Sequence, residues 1–414
     1  MRPTSLRSPP SIKQSTSSSF PTPLYMSSGL TTELAPTMQV TMPRLTLLFL
    51  CALLAAAAQR GAVDAVISDG LQVGFYSKTC PEAEGTVSDV VNSEMKMDRT
   101  IAPGLIRIFF HDCFITGCDA SLLLDETPTG EVPEKESSAN SFTLHGLRTI
   151  DVAKQTIEAM CPRTVSCADI LAFAARDAAV AAGLPSYEVA AGRRDGERSN
   201  KDDLPGNFPV PGHRVPRLTE LFSQRGLSQE DLVVLSGAHS IGGAHCFMFT
   251  NRLYRFSNDS DVDPTMDREF AKRLRQMCPP PMPDDDPEQS TKVSFDERTS
   301  DKLDNSYYAE LLAGRGLLTS DNALIEDPQT RATVEQFAGD DALWQQKFAE
   351  SMQKVGALDV LLGPEQGQVR QNCRLVNSMQ QPGRPVRPTR KKPRWPFLGN
   401  PFADMIHGFF RGFH

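Results

Sequence analysis

Residues 104–121 read GLIRIFFHDCFITGCDAS. The apolar period predicts a helix over residues 100–113, on which Arg107 and His111 stand four positions apart and share one face. Phe110 and its aromatic neighbours would surround this pair with apolar surface, where charges act strongly because little water screens them. The alternative is a hydrogen-bonded core histidine beside a solvated arginine, and the two residues alone leave both interpretations open.

Hard oxygen ligands follow this helix. Asp112, Asp119 and Ser121 lie within about ten residues of one another, and Gly117 allows a tight turn between them. Such a set suits calcium better than a soft metal. It is not an EF-hand, because the glycine and the terminal glutamate of that motif do not fall in their required places.

Two motifs carry a family resemblance. RIFFHDCFITGCDAS resembles the distal haem segment of the class III secretory plant peroxidases, and SGAHSIG at residues 236–242 resembles their proximal segment. Several such motifs recur in family order over residues 72–377. The resemblance implies a mostly α-helical, two-lobed haem peroxidase fold with a haem crevice between the lobes and minor β hairpins. It also implies one haem b and two calcium ions as cofactors.

Charge and cysteine content restrict the class of protein. The net charge is −8, with an acidic body and a basic C-terminal tail, which argues against a nucleic-acid groove in the body. Cys51 is one of nine cysteines and lies in an apolar run that a secretory signal would remove, so eight remain. An even number in a secreted protein predicts four disulfides, although spacing alone leaves about a hundred pairings open. The family resemblance selects Cys80–Cys161, Cys113–Cys118, Cys167–Cys373 and Cys246–Cys278.

The chain divides into four predicted segments. Residues 1–41 are rich in Ser, Thr and Pro, which predicts a disordered extension. Residues 42–65 carry the basic, apolar and small-residue order of a secretory signal peptide, and the alternative of a single-pass anchor is disfavoured because the apolar run is short. By resemblance, residues 66–378 form the haem peroxidase domain. Residues 379–414 are a basic, aromatic C-terminal extension.

Helical periodicity recurs through the peroxidase domain. Residues 187–194 resemble a family hairpin, and four prolines require turns or extended chain over residues 204–216. The acidic stretch PPPMPDDDP at residues 279–287 predicts a flexible loop. Further helical regions are expected at residues 87–95, 147–161, 167–182, 218–224, 231–235, 253–278, 307–312 and 323–355.

The resemblance assigns roles on both sides of the haem. His239 would bind the iron, with Asp321 bonded to its other ring nitrogen and Phe295 packed beside it. On the open side, His111 would move the proton of hydrogen peroxide, because only neutral imidazole can accept it. Arg107 would stabilise the charge that develops on the leaving oxygen.

Three further residues belong to this implied site. Asn140 would bond the far nitrogen of the distal histidine, Phe110 would contact the haem, and Pro205 would line the entrance for electron donors. The family pattern NxNS is altered here, because Phe142 and Thr143 follow Asn140 and Ser141. The proline-rich segment after Pro205 is also longer than the pattern, which leaves the donor specificity open.

Two sets of calcium ligands are implied. Both consist of side-chain and carbonyl oxygens, and a solvated acidic loop remains the alternative for the second set. The distal set is Asp112, Ile115, Gly117, Asp119 and Ser121, with Glu134 linked to the ion through water. The proximal set is Ser240, Asp296, Thr299, Lys302 through its carbonyl, and Asp304.

The implied activity is the reduction of hydrogen peroxide to water with one-electron oxidation of phenolic donors, such as lignin precursors and cell-wall phenolics, including in the stress response. We expect a secreted monomer of the cell wall or apoplast with no nucleic-acid partner, and the C-terminal extension leaves the vacuole open. That basic tail would contact wall polyanions or act as a sorting propeptide, or else be an inert extension. Asn258 begins an N-glycosylation sequon.

Two other functions compete with this one. The first is a catalytically silent, disulfide-linked scaffold that binds calcium or wall polymers. The second is an intracellular ascorbate-type peroxidase, which the signal peptide and the even cysteine number disfavour.

Overall fold

The structure is a computed structural model that describes residues 70–282 and 290–380. The expected N-terminal extension and signal peptide lie outside the described residues, as do nearly all of the C-terminal extension and most of the acidic loop. Within the described ranges helices dominate, which confirms the mostly α fold. In the same ranges no helix is long and apolar enough to cross a bilayer.

Twelve α-helices and four short strands make up the described part of the chain. The helices are α1 Ala83–Met97, α2 Ile101–Ile115, α3 Leu147–Met160, α4 Cys167–Ala181, α5 Val215–Gln224, α6 Gln229–Ser236, α7 Thr250–Leu253, α8 Arg268–Met277, α9 Ser306–Leu312, α10 Thr319–Glu326, α11 Pro328–Gly339 and α12 Asp341–Val355. The strands are β1 Gln72–Val73, β2 Ala190–Ala191, β3 Gly243–His245 and β4 Lys292–Ser294.

The helices form two packed groups. Helix α4 packs against α2 and α1, and α3 closes the first group. The second group places α6 against α5, α11 and α12, with α9 and α10 packed on α11. The small side chains of the alanine-rich α4 are almost wholly buried, which allows the neighbouring helices to approach closely. His239 lies in the 3-10 turn that directly follows α6, so the second group positions it.

One helical expectation is wrong. Residues 253–278 do not form a continuous helical region, because α7 ends at Leu253 and α8 begins only at Arg268. Arg255 takes a positive φ of 53°, which no α-helix accommodates. Asp267 then accepts a hydrogen bond from a backbone N–H of α8 at 2.9 Å and so starts the new helix.

The strands pair across the chain rather than in local hairpins. In the expected hairpin at residues 187–194, strand β2 instead pairs antiparallel with β1, so that Ala191 faces Gln72. Strand β3 pairs antiparallel with β4 on the far side of the acidic loop. Gly192 turns the chain at a φ of 122°, and its N–H donates to Asp169 Oδ2 at 2.8 Å, which directs the segment back into the core.

The structure contains the four disulfides that the resemblance implied. Cys80–Cys161 and Cys113–Cys118 secure the first group of helices, and Cys246–Cys278 secures the segment after the His239 turn. Cys167–Cys373 joins residues 206 positions apart and ties the end of the domain to the start of α4. Loop-closure entropy makes a bridge of that span worth about 5 kcal/mol of stability.

Candidate active site

A buried histidine–asparagine pair forms the distal side of the site. His111 Nδ1 lies 2.6 Å from Asn140 Oδ1, and Asn140 Nδ2 donates to the carbonyl oxygen of Glu134 at 2.8 Å. The second bond fixes the orientation of the amide, so its oxygen faces the imidazole. Nδ1 therefore carries the proton of neutral His111, and Nε2 is left with a free lone pair.

Burial and the neighbouring cation keep this histidine neutral. Loss of hydration, followed by the charge of Arg107, lowers the pKa of His111 well below its usual range, and the bond to Asn140 offsets part of that effect. A neutral imidazole with Nε2 unprotonated can accept a proton from a bound substrate.

Arg107 is held by the loop that carries Asn140. Its Nη1 donates to the carbonyl oxygen of Thr143 at 2.9 Å, and its Nη2 donates to that of Ala139 at 2.7 Å and to Thr143 Oγ1 at 3.0 Å. Burial lowers the pKa of Arg107 to about 10, so it stays charged at neutral pH. The altered residue Thr143 thus helps to position the arginine, and one loop orients both distal side chains.

Phe208 is part of the site and was missed by sequence reasoning. Its ring centroid lies 4.5 Å from that of His111 and also packs against Phe110 and Phe114. Pro205, the expected entrance residue, lies in an exposed turn three residues earlier. Only the aromatic character of Phe208 within a proline-rich segment could have indicated it.

The proximal side is a histidine–carboxylate pair. His239 Nδ1 lies 2.8 Å from Asp321 Oδ1, and the imidazole stacks on Phe295 with centroids 4.0 Å apart and planes 9° apart. Tyr307, which sequence reasoning also missed, donates its hydroxyl to the same Asp321 oxygen at 3.0 Å. Asp321 is 2% exposed, whereas 34% of the His239 side chain remains exposed.

This proximal arrangement fits a haem ligand. The carboxylate occupies Nδ1 of His239, so Nε2 is free to bind a metal, as in other metal sites where a carboxylate orients the histidine ligand. Burial, followed by the charge of Asp321, raises the pKa of Tyr307 well above its usual range, so Tyr307 keeps the proton that it donates. Phe295 fixes the plane of the ring.

Unpartnered buried oxygens mark the distal calcium set. Both carboxylate oxygens of Glu134 are buried without a hydrogen-bond partner among the described residues. Asp112 accepts from the backbone N–H groups of Ala120 and Leu122 at 2.9 and 3.1 Å, and Asp119 accepts from that of Ser121 at 2.9 Å. Burial and the neighbouring carboxylates raise the pKa values of Asp112 and Glu134, a cost that a bound cation would relieve.

The loop between these carboxylates has the tight geometry that the turn requires. Gly117 has a φ of 103°, and a Cβ there would lie 2.4 Å from the carbonyl oxygen of Asp359. Ser121 Oγ lies 2.9 Å from Thr116 Oγ1. The carbonyl oxygen of Ile115 accepts a hydrogen bond from Arg225, so one of its lone pairs is already engaged.

The proximal calcium set also contains an unpartnered oxygen. Ser240 Oγ is fully buried and has no hydrogen-bond partner in the described part of the chain. Thr299 Oγ1 lies 3.1 Å from Asp296 Oδ2 and 3.0 Å from Asp304 Oδ1, so one hydroxyl joins the two carboxylates. Lys302, expected to supply only its carbonyl, also places its ammonium nitrogen 3.3 Å from Asp304 Oδ2.

Both sets fit calcium through oxygen atoms of several kinds. No group of three His, Cys, Asp or Glu side chains within the described ranges could hold a metal ion. The implied sets do not depend on such a group, because each would combine two carboxylates with hydroxyl and carbonyl oxygens.

Comparison with known proteins identifies the family. A family model described as Peroxidase matches residues 87–340. The chain is 46% identical over 308 residues to Peroxidase 5 of Vitis vinifera, an alignment that covers 74% of this chain and 92% of that protein. It is 44% identical over 312 residues to Peroxidase 1 of Zea mays, which covers 74% and 83% of the two chains. It is 42% identical over 308 residues to Peroxidase 55 of Arabidopsis thaliana, which covers 74% and 91%. With a family match that takes in both histidine pairs, the chain belongs to the class III plant peroxidases, enzymes that act on hydrogen peroxide and whose family implies haem.

Proposed function

We propose that this protein is a secreted haem peroxidase that reduces hydrogen peroxide to water while it oxidises phenolic donors one electron at a time. The observation that carries the proposal is the 2.6 Å contact between His111 Nδ1 and Asn140 Oδ1, which leaves Nε2 free to take a proton. His239 would hold the cofactor from the opposite side. When bound, haem supplies redox-active iron that exchanges electrons with peroxide and with the donor.

The distal residues manage the proton and the charge. His111 takes the proton of one peroxide oxygen on Nε2 and returns it to the other oxygen, which leaves as water. Arg107 stabilises the negative charge that develops on the departing oxygen. Asn140 holds the ring in the tautomer that makes this transfer workable, and burial keeps water from competing for the proton.

The proximal residues set the character of the iron ligand. Asp321 accepts a hydrogen bond from Nδ1–H of His239 and makes the imidazole more electron-donating. Phe295 and Tyr307 fix the orientations of the imidazole and the carboxylate, since the first stacks on the ring and the second donates to Asp321. Phe110 lies on the distal helix and contributes apolar surface beside His111.

Two calcium ions would stabilise the segments that hold the two histidines. The distal set begins at Asp112, directly after His111 in the chain, and Ser240 of the proximal set follows His239. Removal of either ion would leave buried carboxylate or hydroxyl oxygens without a partner. We assign two calcium ions on the basis of these oxygens and one haem b on the basis of the two histidine pairs.

Secretion is supported by the four disulfides, which persist in oxidising compartments. Asn258 lies exposed in a turn, where an oligosaccharide could be attached. A monomer in the cell wall or apoplast that oxidises lignin precursors and other phenolics fits these features. The vacuole would require the C-terminal extension to act as a sorting signal, which lies outside the described residues.

The test is steady-state oxidation of guaiacol by the mature protein loaded with haem and calcium. Replacing His111 with Ala removes the proton acceptor, so we expect the peroxide-dependent rate to fall by about 10² to 10⁴ with haem binding retained. A His111→Ala protein as active as the wild type would refute the distal assignment. Wild-type protein that binds haem but oxidises no phenol in a donor panel would instead favour the catalytically silent scaffold.

A further inference from the structure

A cavity of about 520 Å³ opens between the first turn of α2 and the strand pair β3–β4. Neither His111 nor His239 is among its lining residues, but the cavity adjoins the segments that carry Arg107 and His239. Its apolar part includes Met95, Pro103 and Ile241. Three cations also line it, namely Lys96, Arg99 and Lys292. Arg99 already faces the one lining carboxylate, that of Asp301, at 4.0 Å.

The strand register brings Lys292 to this place. Strands β3 and β4 pair Gly243 with Ser294 and His245 with Lys292. Because side chains alternate along a strand, these four residues share one face, and the buried Ala244 and Val293 share the other. Gly243, Lys292 and Ser294 line the cavity, so this face of the sheet looks into it.

Lys292 is exposed where it lines the cavity. Partial burial and the charge of Arg107 lower the pKa of Lys292, and Asp98 offsets part of that effect. Asp98 is engaged elsewhere, because its carboxylate accepts from Thr100 Oγ1 at 2.6 Å and lies 3.1 Å from His145 Nε2.

No carboxylate forms an ion pair with either cation within residues 70–282 and 290–380. Arg107 donates only to carbonyl and hydroxyl oxygens. Because Lys292 lines the cavity without an ion-pair partner among the described residues, an anion bound at the cavity would supply one.

Haem b carries two carboxylates on short chains at one edge of the ring, so it can supply such an anion. We propose that Lys292 binds a haem carboxylate at the mouth of this cavity and thereby determines which edge of the cofactor points toward β3–β4. The inference rests on the proposed function, since it requires haem between His111 and His239. It adds a contact from a strand that none of the family motifs includes.

The test compares haem with its dimethyl ester, in which both carboxylates are blocked. Wild type, Lys292→Gln and Lys292→Arg are each loaded with either porphyrin, and the rate of transfer to excess apomyoglobin is followed by absorbance. We expect Lys292→Gln to release haem about fivefold faster at low ionic strength, with a smaller difference in high salt. Lys292→Arg should retain haem as the wild type does. All three proteins should release the dimethyl ester at the same rate.

Lys96→Gln is the matched control, because Lys96 is a cation that lines the same cavity from helix α1 and not from the strand pair β3–β4. An equal effect of Lys292→Gln on haem and on its ester would overturn the inference, since the contact would not then involve a carboxylate. If Lys292→Gln released haem at the wild-type rate but no longer bound ferulate, a free aromatic carboxylate, the inference would be overturned in favour of a separate anion site. Failure of the wild type to take up haem at all would overturn the proposed function as well.

Discussion

Replacing Asn140 with Ala tests how the distal histidine is prepared for proton transfer. The change removes the acceptor that lies 2.6 Å from His111 Nδ1 and leaves the carbonyl oxygen of Glu134 without its donor at 2.8 Å. His111 is 9% exposed, so little water can take the place of the lost amide. The imidazole is then free to carry its proton on Nε2, the nitrogen that must accept one.

The size of the effect follows from the hydrogen bond that is lost. A buried, unpaired N–H costs about 1 to 3 kcal/mol, and about 1.4 kcal/mol corresponds to a tenfold change in population. We therefore expect the reaction with peroxide to slow by about tenfold. This is less than the loss expected for His111→Ala, which removes the acceptor altogether.

Stopped-flow mixing of the haem-loaded protein with peroxide gives the second-order rate constant directly. Asn92→Ala is the matched control, since Asn92 lies on the exposed face of α1 and, among the described residues, its Nδ2 donates only within its own helix. Equal rate constants for Asn140→Ala and the wild type would refute the orienting role of Asn140. A rate as low as that of His111→Ala would show that Asn140 does more than select the tautomer.

Two other predictions concern stability. Chelation of calcium should lower the melting temperature of the wild type by about 5 °C. The drop should be smaller for Glu134→Gln, because this variant has already lost the buried carboxylate that interacts with the ion. Glu136 is exposed, so Glu136→Gln should behave as the wild type. An equal drop in all three proteins would count against the distal set. Burial raises the pKa of the Asp177 carboxyl to about 6, although the charge of Arg176 reduces this effect. The folded state therefore binds the carboxyl proton more tightly than the unfolded state does. The stability that this group contributes is lost as pH rises from about 4 through 6. Denaturant unfolding measures the free energy of unfolding of Asp177→Asn relative to that of the wild type. This difference should favour the variant by up to about 3 kcal/mol more at pH 7 than at pH 4. A difference that does not vary with pH would contradict the raised pKa of Asp177.

The sequence predicts those features that depend on local spacing. Arg107 and His111 are found together because four positions on a helix always share a face. The chemistry of His239 and Asp321 is predicted from motifs, although 82 positions separate them. The four disulfides likewise required the family resemblance, since spacing alone does not select a pairing.

Features that depend on long-range contacts could not be predicted. Phe208 reaches His111 through an irregular proline-rich path, and neither strand pairing nor helical period specifies such a path. Lys292 faces the cavity only because β4 pairs with β3 in one particular register. The break within residues 253–278 depends on turn conformations such as the positive φ of Arg255, which helical periodicity does not detect.

The most direct measurement of the central claim is the absorption spectrum of protein folded with haem. We predict that the wild type shows the spectrum of ligated haem and that His111→Ala keeps it. We predict that His239→Ala loses it, since Nε2 of His239 is the nitrogen we propose as the iron ligand. A His239→Ala spectrum identical to that of the wild type would contradict the assignment of the two histidines to opposite sides of one haem.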